Sequence, residues 1–215
     1  MVVRRRRAAE LIDGMEMTLV ARLLDKAFGR PSGLLGRIGG WLMARGNAGT
    51  ERQLVEMADL HPEDVVLVLG PGPGVGLEAA GRRSRHVVGI DSSEVMLRAA
   101  RRRCADLIEE GRLRLVRGVA EDTGQADASA DVVLAVNSVQ VWPDWRAAFG
   151  ELHRVLRPDG RLLLSAHEKW LPGGLTALAA AVREAGFDDI QTWTWEPPGR
   201  VAGTAAQLRA RRPGD

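Results

Sequence analysis

From Val65 onward, short β-branched runs alternate with longer stretches in which apolar residues recur every three or four positions. That alternation is the signature of repeated βα units and a parallel sheet. Seven runs predict strands, at Val65–Leu69, His86–Ile90, Arg112–Arg117, Val132–Val136, Arg161–Ala166, Ile190–Trp195 and Ala205–Arg211. Helices are expected at Val75–Arg83, Glu94–Glu110, Trp145–Leu156 and Leu175–Ala185. Ser92 or Ser93 caps the second of these, and Arg157-Pro158-Asp159-Gly160 turns the third into the fifth strand. Only Pro197-Pro198-Gly199 separates the last two strands, so they should form an antiparallel pair at the sheet edge.

Ahead of the sheet, Met15–Ala44 has a helical pattern broken by Gly29-Arg30-Pro31-Ser32-Gly33 and Gly39-Gly40, and a further helix is expected over Thr50–Leu60. The division this implies is a helical appendage or lid over residues 1–47 and one α/β domain over 48–215.

Composition narrows the class. With 45% apolar and 27% charged residues, the 215-residue chain can bury one full α/β core. No apolar run approaches the ~20 residues of a membrane span, and the Arg4–Arg7 run is followed by Ala8-Ala9-Glu10 rather than by a signal-peptide core, so a cytoplasmic location is expected. The single cysteine, Cys104, has no internal disulfide partner and reads as packing. The net charge of +2 gathers at the termini, in Arg4–Arg7 and in Arg209, Arg211 and Arg212, which argues against a nucleic-acid partner.

The first strand runs directly into Gly70-Pro71-Gly72-Pro73-Gly74-Val75-Gly76, and a helix follows at once. Such a loop lets a ligand approach the backbone closely, while the helix start offers unpaired N–H groups. The second strand ends in Asp91, 21 residues after Gly70, a spacing that suits a carboxylate reading ribose hydroxyls. The strict dinucleotide fingerprint fails, because the sixth position counted from Gly70 or Gly72 is Val75 or Leu77.

Taken together, these segments resemble the class I S-adenosylmethionine (SAM)-dependent methyltransferases, particularly the type 11 group, over about residues 50–215. The resemblance rests on Val-Leu-Val-Leu-Gly-Pro-Gly-Pro-Gly, Val88-Gly89-Ile90-Asp91-Ser92-Ser93, Gly118-Val119-Ala120-Glu121-Asp122, Ala130-Asp131-Val132-Val133 with Asn137-Ser138, and Arg154-Val155-Leu156-Arg157-Pro158-Asp159-Gly160. It implies a Rossmann-like, doubly wound, mostly parallel seven-stranded sheet with an antiparallel last strand. It also implies SAM as cofactor, held by Gly70, Pro71, Gly72, Gly74, Asp91, Ser92, Ala120, Glu121 and Asn137. Two departures stand out: Val68 occupies a position where the family often has an acid, and Val119 one where it often has Asp.

Methyl transfer from a sulfonium needs alignment and water exclusion rather than a metal or a covalent intermediate. In keeping with that, the chain has no His/Cys ligand cluster, no G-x-S-x-G elbow and no Walker lysine. In a fold of this kind the acceptor approaches the carboxyl ends of strands four and five. Those ends carry Ser138, Gln140, Trp142 and Trp170 as candidate substrate-binding residues and His167 as candidate base. A small organic acceptor is expected, since fewer than thirty residues separate strands five and six and leave no room for an inserted domain. Three alternatives stay open. They are a nucleic-acid methyltransferase, disfavoured by Asn137-Ser138-Val139-Gln140, a SAM-binding protein that does not methylate, and a nicotinamide-dependent oxidoreductase, disfavoured in a chain without tyrosine.

Overall fold

The computed structural model describes residues 47–198 and 203–214. The expected helices over Met15–Ala44, and the lid they would form, lie outside the described residues.

A seven-stranded sheet of order β3-β2-β1-β4-β5-β7-β6 forms the centre. Its strands are β1 (Val65–Leu69), β2 (His86–Asp91), β3 (Leu113–Arg117), β4 (Ala130–Val136), β5 (Leu156–His167), β6 (Asp188–Trp195) and β7 (Ala205–Arg211). The first five run parallel, and β7 lies antiparallel between β5 and β6. The doubly wound, Rossmann-like sheet is therefore as the sequence implies, and the last two strands do pair antiparallel at one edge, with β6 outermost.

Period-two alternation distributes the apolar side chains to both faces. Val66 and Val68 point to one side, where they pack with Leu54 and Val55 of helix α1 (residues 47–57) and with Leu77 and Ala80 of α2 (Val75–Gly81). The same layer takes Ala100 of α3 (Glu94–Arg103) and Leu107 of α4 (Ala105–Glu109). Leu67 and Leu69 point to the other side, against Phe149 and Leu152 of α5 (Trp145–Val155) and Leu178 and Val182 of α6 (Gly174–Glu184).

The structure corrects two details. The single helix expected over Glu94–Glu110 is broken at Cys104, whose φ of −105° and ψ of 27° end α3 and start α4. The break brings the thiol under the loop after β1, where Sγ contacts the Gly74 carbonyl at 3.7 Å. The Arg157–Gly160 turn is absorbed into β5: Leu156 pairs with Ala130 and Arg161 with Val132, so the residues between bulge out of the ladder, with Asp159 at φ 63°.

Candidate functional site

β1 and β4 are neighbours in the sheet, but the chain leaves them in opposite directions, through α2 toward β2 and through α5 toward β5. Their carboxyl ends therefore flank a crevice, the place where open α/β sheets hold ligands. Gly70, the first residue after β1, has φ +60°, and a Cβ there would lie 2.6 Å from Ser138 Cβ. The Ser138 hydroxyl in turn donates to the Leu69 carbonyl at 3.1 Å, so the loops after β1 and β4 are stitched together. Gly72 differs: its φ is +52°, but nothing lies within 4 Å of where its Cβ would be. The backbone there faces open space that a ligand can use.

Asp91 closes the other side of this loop. Its Oδ1 accepts the Ser93 N–H at 2.8 Å and its Oδ2 the Gly72 N–H at 3.3 Å. Burial pushes the carboxyl above the ordinary aspartate range, and those two N–H groups partly pull it back. Ser93 caps α3, accepting from Met96 N, which leaves Ser92 exposed between the carboxylate and the helix.

Beyond β3 the chain makes a tight turn in which Val119 N–H reaches the Asp122 carbonyl at 3.4 Å. Ala120 is buried in it, and the Glu121 carboxylate accepts the Asp144 N–H at 3.4 Å. Glu151 pins the next residue, Thr123, through the backbone N–H at 2.9 Å and the hydroxyl at 2.5 Å. Burial raises the Glu151 carboxyl, but Arg154 and Thr123 outweigh it and bring it down to about 2. At the end of β4, Asn137 takes φ 51° and donates its N–H to the Ser165 carbonyl at 2.7 Å.

Across the crevice, His167 ends β5 and stands edge-on to Trp170, with ring centroids 4.7 Å apart. Burial, helped by the Lys169 ammonium, holds the imidazole below its ordinary range. Trp142 and Trp145 both stand edge-on to Phe149, and the Trp145 indole donates to the Val139 carbonyl at 2.8 Å, so Trp145 belongs to the packing of α5. The Gln140 carboxamide oxygen is buried with no partner among the described residues. Val119, Val141 and Trp170, which follow β3, β4 and β5, are large apolar side chains left exposed. Of the polar candidates for the acceptor side, Ser138 is committed to the loop scaffold, whereas Gln140 and His167 keep unused hydrogen-bonding capacity.

An open backbone cradle at Gly72, beside a carboxylate with lone pairs to spare, fits a ribose and the chain attached to it. Residues 67–164 match the family described as a methyltransferase domain. The chain is 28% identical over 163 residues to the uncharacterized methyltransferase YdaC of Bacillus subtilis, a match covering 71% of this chain and 87% of that protein. It is 35% identical over 119 residues to the nocamycin O-methyltransferase of Saccharothrix syringae, which covers 53% of this chain but only 41% of that enzyme. Among solved structures, the YcgJ protein of Bacillus subtilis superposes with a TM-score of 0.65 at 17% identity, over 77% of this chain and 99% of that one. The family match, the relatives and the shared fold together support a class I SAM-dependent methyltransferase.

One residue beside this crevice was not among the candidates the sequence offered. Val68 is buried and apolar, but Glu51 of α1 lines the same small cleft, together with Gly70, Pro71 and Gly76. Its Oε2 accepts the Gly76 N–H at 2.5 Å. Desolvation raises the carboxyl to about 7, against the pull of that N–H and of Arg103 and Arg52. A lone Glu in a helix that precedes the first strand carries no motif, and only the packing of α1 against α2 reveals it.

Among the described residues there is no cluster of three His, Cys, Asp or Glu side chains that could hold a metal ion. No described helix is long and apolar enough to cross a membrane.

Proposed function

We propose that the domain transfers the methyl group of SAM to a hydroxyl of a small organic acceptor, with His167 taking the proton. In this reading the glycine loop and Asp91 hold the cofactor, Ala120, Glu121 and Asn137 border it, and Gln140, Trp142 and Trp170 line the acceptor side. When bound, SAM supplies an electrophilic methyl carbon on a sulfonium. The protein's contribution is to align an acceptor with that carbon and to exclude water, a positional effect of up to ~7–11 kcal/mol.

The observation that carries the reading is His167 itself. It lies two residues beyond Ser165, which is paired with Val136 at the end of β4, so it sits beside the crevice between the β1 and β4 loops. Its imidazole is held neutral at neutral pH by burial and by Lys169, with a lone pair able to accept a proton. Exposed Trp170, edge-on to the imidazole, adds apolar surface beside it, suited to a flat organic molecule. That the nocamycin relative is an O-methyltransferase agrees with hydroxyl chemistry.

The test is mass detection of S-adenosylhomocysteine formed with a panel of phenols and aliphatic alcohols. His167→Ala should lower kcat by ~10²–10⁴ while leaving SAM affinity unchanged. Because the neutral imidazole is the active form, wild-type kcat/KM should rise with pH through an apparent pKa below the ordinary histidine value and be flat at neutrality. Unchanged turnover in the His167→Ala protein would refute the base assignment.

A further inference from the structure

Helix α2 starts with a defect that the protein repairs from a distance. Its N-cap is Gly74, which has no side chain with which to accept the unpaired N–H groups of the first turn. The N–H of Gly76 is accepted instead by Oε2 of Glu51, 25 residues earlier in the chain. The approach is close enough that a Cβ on Gly76 would lie 3.2 Å from that oxygen.

Capping alone does not account for a carboxylate here. A capping side chain at position 74 is excluded by its φ of +92° and by Ala100 Cα, 3.1 Å from where a Cβ would lie, but a neutral glutamine at position 51 would accept the same N–H without burying an ionisable group. Around Glu51 the cleft is otherwise apolar, walled by Leu54, Val55, Val68, Leu134 and Val136. Its carboxylate has one hydrogen bond among the described residues, the one to Oε2. The charged groups that bear on it are Arg52 of its own helix and Arg103 of α3, and the Arg103 guanidinium is already engaged with the Pro73 carbonyl at 3.1 Å and with Glu78 at 3.3 Å. The cleft borders Gly70 and Pro71, in the loop that faces the cofactor. SAM carries a positively charged ammonium on its methionine end, and a buried carboxylate with an oxygen to spare is the group suited to receive it.

We propose that Glu51 is a second cofactor-positioning carboxylate, which fixes Gly76 at the start of α2 and meets the ammonium group of the methionine end of SAM. The inference rests on SAM binding at the glycine loop and is independent of which acceptor is methylated. It has a consequence that a merely structural residue lacks. Before the cofactor arrives, the Glu51 carboxyl titrates at about 7. Pairing with a cation favours the ionised form, so binding must expel the proton.

Calorimetry at pH 6.5, repeated in buffers of different ionisation enthalpy, reads that proton directly. Wild-type protein should release up to about three-quarters of a proton per SAM, the fraction of Glu51 protonated at that pH. The release should also be seen with S-adenosylhomocysteine, which keeps the ammonium, and vanish with 5′-methylthioadenosine, which lacks the amino-acid end. Glu51→Gln keeps an acceptor for Gly76 but not the charge. It should lose the release and bind SAM about tenfold more weakly, while its affinity for methylthioadenosine stays unchanged. Equal weakening of both ligands, or release that persists in the Glu51→Gln protein, would overturn the proposal. Should that variant fail to fold, the wild-type comparison of SAM with methylthioadenosine decides alone, since equal release with both excludes Glu51 as partner of the ammonium. A wild-type protein that bound none of the three ligands would refute the cofactor site itself and the proposal with it.

Discussion

Replacing Asp91 with alanine separates a ribose-binding carboxylate from a turn cap. In the free protein the side chain accepts two N–H groups, from Ser93 at 2.8 Å and from Gly72 at 3.3 Å. Neither donor is fully buried, so water can replace the lost acceptor and the fold should lose only about 1 kcal/mol. The cofactor has more at stake. Two charge-assisted hydrogen bonds to the ribose hydroxyls should contribute about 1–3 kcal/mol after water compensates in the variant, a weakening of roughly 5- to 150-fold in Kd. Asp91→Asn, which keeps an acceptor but not the charge, should fall between. The carboxylate is the accepting form and burial raises its pKa, so wild-type affinity should hold at neutral pH and decline on acidification sooner than an ordinary aspartate would dictate. Titration calorimetry with SAM, beside a thermal melt, reads both effects. A folded Asp91→Ala protein that binds SAM as tightly as wild type would show that Asp91 only caps the turn.

The glycines of the loop should divide into two kinds. Gly70→Ala drives a Cβ into Ser138 at a strained φ and should cost about 2–3 kcal/mol in a denaturant melt, whereas Gly72→Ala meets no atom and should cost about 1 kcal/mol of backbone strain while losing SAM affinity. Equal stability losses would contradict the packing described here. Glu151→Gln should lower stability by about 1–2 kcal/mol at neutral pH, since it weakens the bonds to Arg154 and Thr123. The folded-state pKa is depressed, so the wild-type advantage is present above the unfolded value near 4.5 and fades as pH falls toward about 2. Paired urea titrations at pH 7 and pH 3 would expose an error if the gap between the two proteins failed to narrow.

The fold was legible because period two and period three-to-four run cleanly through residues 65–211, and because Gly70–Gly76 and Asp91 fall at the ends of adjacent strands. What could not be read is where side chains meet across elements. Cys104 breaks a helix whose apolar pattern continues through it, because the thiol packs beneath Gly74. Ser138 looked like a crevice residue from its place after β4, but Gly70 leaves just enough space for its hydroxyl to turn back to Leu69. Glu51 is the clearest case: the strand pattern locates the loop, but the group that caps the helix after it comes from α1, which shares no motif with the loop.

The position of β7 has a consequence for how the protein is made. It is the seventh strand in the chain but the sixth in the sheet, and it hydrogen-bonds to both β5 and β6. Until residues 205–211 leave the ribosome, β6 has no partner, and β5 shows a bare edge along Leu162–Ala166, a run fully buried in the finished protein. Arg212, just beyond, then clamps the carbonyls of His153 and Leu156, tying the end of the sheet to the end of α5. The first five strands can assemble in order of synthesis, but the sheet is sealed by its last strand. A nascent chain that stalls before residue 205 therefore carries an exposed apolar strand edge, the feature through which unfinished chains aggregate.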